Sequence, residues 1–239
     1  MSDWKPKRFW KAASVVVAEG GHTVHLDGRP VKTPAKAALI VPTDAMAAAI
    51  AAEWDAQEKE VDPRTMPLTR GANAAIDKVS LQRAEVIAML AEYGDSDLLC
   101  YRAAGPDSLV QRQTEAWDPW LAWAGDSLGA RLRVGEGVMH VPQDVAALAR
   151  LRAALEEMDA FALAAAHDLI SLSGALVPAL AVMRDASPAP EASLRSRLDE
   201  HWHAEQWGED DEALANEMIK RAAFLDAMRF YELARQHKN

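Results

Sequence analysis

The apolar positions of this chain follow two periods, and the change comes near residue 42. Before it, residues 14–18 are β-branched and end at Gly20-Gly21, and residues 23–26 alternate and end at Asp27-Gly28, a strong hairpin signal. Residues 31–33 and 38–41 supply two further short strands, so 9–41 reads as a small antiparallel sheet. After it, Thr43 and Asp44 open a helix whose Met46, Ile50 and Trp54 recur at i, i+4 and i+8. Trp54 ends that stripe and reads as a structural residue, clamping the sheet domain to the helical one. Pro63 and Pro67 then predict an extended passage, because proline lacks an amide donor and biases its predecessor away from the helical region.

Helical periodicity runs through most of the remainder. It predicts helices over 69–78, over 81–93 with Ser80 as cap, and from Asp107 to Trp117. A new helix follows, capped by Asp118 with Pro119 in its first turn, on which Trp117, Trp120 and Trp123 form an aromatic stripe that reads as core. The alternation at 131–134 allows an added strand. Helices are then predicted over 145–158, over 160–171, and as an apolar segment from 176 to about 185 that needs a buried place. One helix is expected from Ser187 to Trp207 and a last one from 211 to about 237. The fold class is α+β: a β-rich N-terminal domain with one packed helix over 1–68 and an α-helical bundle domain over 69–239.

Composition narrows the function. A formal net charge of −10 disfavours nucleic acid as a partner, and no stretch is long and apolar enough to span a bilayer. The N-terminus has no apolar signal core, and Lys5, Lys7, Arg8 and Lys11 read as a solvated cluster. The single cysteine, Cys100, excludes an internal disulfide and fits a reducing cytoplasm; its apolar neighbours make it a poor nucleophile.

Motifs that carry chemistry do not emerge. There is no nucleophile elbow, phosphate loop, dinucleotide fingerprint or His-Glu-x-x-His pair. His201 and His203 are two apart and point to different sides of a helix, and His167 beside Asp168 reads as structural or surface. No catalytic, metal or cofactor residue is therefore assigned, and no cofactor or nucleotide is expected. The densest run of one charge lies in Asp199, Glu200, Glu205, Glu209, Asp210, Asp211 and Glu212, around Trp207.

Several segments, in unbroken order from about Arg8 to Ala234, carry a resemblance. They are Arg8-Phe-Trp-Lys11, Leu26-Asp-Gly-Arg-Pro-Val-Lys-Thr-Pro34, Glu53-Trp-Asp-Ala-Gln57, Met66-Pro-Leu-Thr-Arg70, Ser96-Asp-Leu-Leu-Cys-Tyr-Arg102, Trp117-Asp-Pro119 and Gln206-Trp-Gly208. The chain resembles the assembly chaperones that handle the alpha subunit of the F1 sector of ATP synthase, a family of mitochondria and alphaproteobacteria. The resemblance implies a non-enzymatic monomer that binds unassembled alpha subunit and shields its beta-facing surface until ring assembly. Without a transit peptide, this member is expected in a bacterial cytoplasm. Glu200, Glu205, Trp207, Glu209 and Asp210 are the expected protein-binding residues. The rival reading is a small-molecule enzyme with a Trp-lined interdomain cleft and these acids as acid and base.

Overall fold

The computed structural model describes residues 7–208 and 210–235 and has the α+β architecture expected from the sequence. Strands β1 (Ala13–Ala18), β2 (Gly21–Leu26) and β3 (Arg29–Pro30) lie side by side in that order, antiparallel, with Ala13 opposite Leu26 and Val17 opposite His22. Between β2 and β3, Asp27 and Gly28 both take positive φ, 48° and 81°, the backbone a two-residue hairpin requires. Asp27 is fixed there by N–H groups of Ala12 and Lys11 that donate to its carboxylate at 3.1 and 3.0 Å, and these bonds lower its pKa.

The strands expected at 31–33 and 38–41 do not form; only isolated bridges join Lys32 to Ala38 and Val41 to His22. A local turn wins instead. Thr33 N–H donates to Ala37 O at 2.9 Å, Ala37 N–H to the Thr33 hydroxyl at 3.1 Å, and Lys36 takes φ 69°; main-chain bonds from Val31 N–H to Val24 O and between His22 and Val41 persist, but too few follow one another to make strands.

Helix α1 (Asp44–Asp55) starts where expected, with Met46 N–H donating to the Thr43 hydroxyl at 3.0 Å, and it buries Met46 and Ile50. The two prolines do not extend the chain. Pro63 opens a single 3-10 turn, and Pro67 takes the first position of α2 (Pro67–Ala74), where no N–H is needed. The next donors of α2 are met by Glu53: Leu68 N–H, Thr69 N–H and the Thr69 hydroxyl reach its carboxylate at 2.7, 2.8 and 2.6 Å. A π turn, Ala75–Val79, continues α2, and the Ser80 hydroxyl donates back to Ile76 O at 2.6 Å. Ser80 thus closes this segment rather than capping α3 (Arg83–Glu92).

Beyond β4 (Tyr101–Arg102), the two helices expected around Pro119 are one, α4 (Asp107–Ser127). Pro119 and Glu115, whose carbonyl the proline leaves unmatched, both lie on the exposed side, where the missing donor is least costly. The strand allowed at 131–134 does not form; the two residues after it make a short strand, β5 (Gly135–Glu136), that pairs in parallel with β4. Then come α5 (Val145–Glu156), α6 (Ala160–Ser173) and α7 (Leu176–Met183). The single helix expected up to Trp207 is divided into α8 (Ala189–Arg195) and α9 (Leu198–Trp207) by non-helical backbone at Arg197, φ −113° and ψ 25°. Leu194 therefore leaves the stripe of Leu198 and Trp202 and is exposed. The last helix is α10 (Asp211–Arg235).

The described residues form two compact units that are not single runs of sequence: 7–83 with 159–165 and 229–235, and 84–158 with 166–208 and 210–228. In the first, α1 covers the sheet. The Thr43 hydroxyl donates to Leu233 O at 2.7 Å, and the Phe230 ring, stacked on Phe161 at 6.1 Å, lies where any side chain at Gly71 would stand, 2.8 Å from its Cβ position. Trp54 packs edge-on against buried Trp10 at 5.2 Å, and Arg8 lies over Trp10 while donating to Asp55 O at 2.8 Å. The partner of Trp54 is thus the N-terminal segment of its own unit, and both indole N–H groups are buried without an acceptor among the described residues.

The second unit is built around α7, all eight residues of which are buried. Asp97, fully buried, accepts from Leu176 and Val177 N–H at 2.8 and 2.9 Å and from Leu99 N–H at 3.1 Å. Burial outweighs these bonds and pushes its pKa up to about 6. Cys100, beside it, is pushed by burial to about 12 and is inert as a nucleophile. Trp117 is wholly buried, donates to Arg195 O at 2.8 Å and carries the Arg102 guanidinium over its ring; Trp120 lies under Arg195. Of the expected stripe, Trp117 and Trp120 are core and Trp123 is half-buried.

Two outcomes test this account. Trp54→Ala is expected to lose about 3 kcal/mol in urea unfolding, the low end for a tryptophan truncation because the ring is half-buried, whereas Trp54→Phe, which keeps the ring contact and removes an orphan donor, loses far less. Equal losses would remove Trp54 from the core. For Asp97, a raised folded pKa means that the native state binds the proton more tightly than the unfolded chain, so its stabilising contribution is full below about pH 4 and is lost as pH rises through about 6. Wild-type stability measured against Asp97→Asn should therefore fall by about 3 kcal/mol between those limits. Parallel curves would contradict it.

Candidate functional site

Glycine and acidic residues place the turn between α9 and α10. Gly208 takes φ 96° and its N–H donates to Ala204 O at 2.9 Å, which ends α9; Glu212 N–H donates to the Asp210 carboxylate at 3.2 Å, which starts α10. Glu209 lies outside the described residues.

One face of α9 is tied to α4. Trp202 is buried under the Arg112 guanidinium, 4.9 Å from its ring centre. Arg112 Nη1 also donates to both Glu205 oxygens at 2.9 and 2.8 Å, and this bond lowers the Glu205 pKa. Gln113 donates to Asp199 at 2.7 Å and accepts from Ala103 N–H at 2.8 Å. A further link, His201 Nε2 to Glu217 Oε1 at 2.6 Å, ties α9 to α10. The acid run is therefore not a uniform acidic face. Asp199, Glu205 and Glu217 hold helices in place, while Glu200 stays exposed with Arg197 3.5 Å away.

The outward side carries apolar surface. Trp207 is 74% exposed and stacks on His203 at 4.8 Å. In the first three turns of α10, residues 211–222 are exposed except Glu217, and they include Leu214, Met218 and Ile219, the last two 73% and 66% accessible. Of the expected binding residues, the structure brings Glu200, Trp207 and Asp210 to the outside and gives Glu205 a partner within the fold. Arg112 was not anticipated, because its role comes from a contact 93 positions away in the chain. The sequence does hold the signal for Leu214 and Met218, four apart just after the helix cap, where they read as ordinary helix stripe.

The segments that carry the resemblance sort by what they do here. Arg8, Trp10, Asp27, Glu53, Gln57, Asp97, Arg102 and Trp117 each close an internal bond or fill the core. Gln206 and Trp207 are exposed and do neither. Among the described residues, no group of three or more His, Cys, Asp or Glu side chains could hold a metal ion, and no helix is long and apolar enough to cross a membrane.

Known proteins match this chain over most of its length. It is 48% identical to Atp12 of Paracoccus denitrificans, whose crystal structure superposes with a TM-score of 0.93 over 98% of this chain and 100% of that one. A crystal structure of an Agrobacterium tumefaciens protein is 43% identical, with a TM-score of 0.92 over 95% of this chain and 86% of that one. The mitochondrial protein atp12 of Schizosaccharomyces pombe is 24% identical over 228 residues, 90% of this chain and 78% of that protein. A family described as ATP12 chaperone protein matches residues 7–125. By family, then, the protein is a chaperone. It belongs to the ATP12 chaperone family.

The Arg112 bond makes a sharp expectation. Glu205→Lys sets two cations against each other where α9 meets α4, so amide hydrogen exchange in α9 should accelerate while that of β1 and β2 is unchanged; Glu200→Lys should leave both unaltered. Identical exchange in the two variants would show that the Arg112 bond does not hold α9.

Proposed function

We propose that this protein is an assembly chaperone of ATP synthase that binds unassembled F1 alpha subunit and covers its beta-facing surface until the ring forms. It works in a bacterial cytoplasm, without nucleotide, cofactor or turnover. Membership of the ATP12 chaperone family supports the class of activity. The observation that carries the proposed site is the exposed apolar surface at the α9–α10 turn, Trp207 with Met218 and Ile219, flanked by Glu200 and Asp210.

An orphan subunit exposes an interface that aggregates, and a chaperone must cover it yet release it. A surface with a few apolar anchors in a polar rim suits that task, since it binds without forming an obligate apolar interface. Trp207 is the anchor, already oriented by its stack on His203. Glu200 and Asp210, with Glu209 proposed beside them, favour a client edge carrying Lys or Arg and set encounter rate and salt dependence. Glu205 contributes by holding α9 through Arg112 rather than by facing the client.

The experiment is light scattering of aggregating alpha subunit at near-equal molar ratio. Wild-type protein should suppress the signal with no nucleotide present. Trp207→Ala should lose most of the suppression with an unchanged melting curve, and Glu200→Lys should lose it increasingly as salt is lowered. Full suppression by both variants would exclude the α9–α10 turn as the site, and no suppression by wild type would exclude the chaperone reading for this client.

A further inference from the structure

The exposed start of α10 has an internal symmetry that the client reading does not use. Asp211, Leu214, Met218 and Arg221 stand at i, i+3, i+7 and i+10, the spacing of a coiled-coil seam, and all four are exposed. Further along the helix the same stripe runs into the fold: Leu225 is half-buried and Met228 buried. The free part of the stripe therefore covers about three turns, acidic at one end, basic at the other and apolar between.

That order is complementary to its own reverse. An antiparallel copy placed with a two-fold axis at Asn216 sets Asp211 opposite Arg221 and Leu214 opposite Met218, and the symmetry repeats both layers. In a two-fold interface each contact occurs twice, so a pattern that reads acid, apolar, apolar, base closes two ion pairs around four apolar side chains. Among the described residues, no carboxylate forms an ion pair with Arg221, and none of the other side chains in the seam has a hydrogen-bonding or charged partner within its own chain.

We propose that the first three turns of α10 pair, antiparallel and two-fold, with the same segment of a second copy of this chain. The inference is independent of the identity of any client, because it uses only α10. Two heptads form a small interface, so the pairing is weak and concentration-dependent, unlike an obligate dimer. Arginine at the outer layer orients the pair, since a parallel arrangement would set Arg221 against Arg221 and Asp211 against Asp211. The pairing would withdraw Leu214 and Met218 from water in the absence of a client.

Sedimentation equilibrium of the full chain, with no client present, tests this. Wild type should rise from the mass of one chain toward that of two between low micromolar and submillimolar concentration. Asp211→Arg alone and Arg221→Asp alone should each stay at the mass of one chain, because each sets like charges opposite one another twice. An equimolar mixture of the two variants should regain the two-chain mass, since every contact across that pair joins an acid to a base. The recovery also shows that both variants are folded. A wild type that keeps the one-chain mass throughout would overturn the proposal, as would single variants that associate as wild type does or a mixture that does not recover.

Discussion

A helix buried on every side cannot leave its first amides to water, and that constraint governs the second unit of this protein. All eight residues of α7 are buried, so the donors at its start need a protein acceptor or stay unmatched at a cost of about 1 to 3 kcal/mol each. Asp97 supplies the acceptor, and because it sits in the turn before Tyr101 it also fixes where β4 begins. Burying a carboxylate is itself unfavourable, which is why its pKa rises despite three donors. The position of α7 and the ionisation of Asp97 are thus one balance, not two features.

The same device recurs in the first unit with less burial. Glu53 meets the free donors of α2, and Asp27 holds the chain entering β1 against the β2–β3 turn. Side-chain carboxylates and one arginine, Arg8, take the role that disulfides would have in a chain with more than one cysteine. Because each of these groups joins residues far apart in sequence, the fold depends on a few polar fasteners as well as on its apolar core.

Against that background the α9–α10 turn differs in kind. Its inner side is fastened by Arg112, Gln113 and His201, while its outer side leaves Trp207, Met218 and Ile219 in water. A rigid inner face and an apolar outer face suit binding, since little side-chain order remains to be lost on contact. The proposed copy-to-copy contact shares Met218 with the proposed client surface, so the two would compete, which is compatible with release.

The sequence by itself determined most of the local structure. The two hairpin turns followed from Gly20-Gly21 and Asp27-Gly28, the start of α1 from Thr43, the start of α5 from Asp144 and the end of α9 from Gly208, since each of these signals acts within a few residues. Where it misled, the surroundings were decisive: residues 31–41 pair only through single bridges around the turn at Lys36, and solvent exposure let α4 carry Pro119 through its middle. The family was legible too, because order and spacing of motifs survive without any coordinates. What each motif residue does was not. Asp97 lies 79 positions from the helix it caps and Arg112 lies 93 from Glu205, and no local pattern encodes which of seven acidic residues near Trp207 will meet a cation. Periodicity records which residues share a face; only the tertiary structure decides what that face meets, and so which acids are bound inside the fold and which remain free to act.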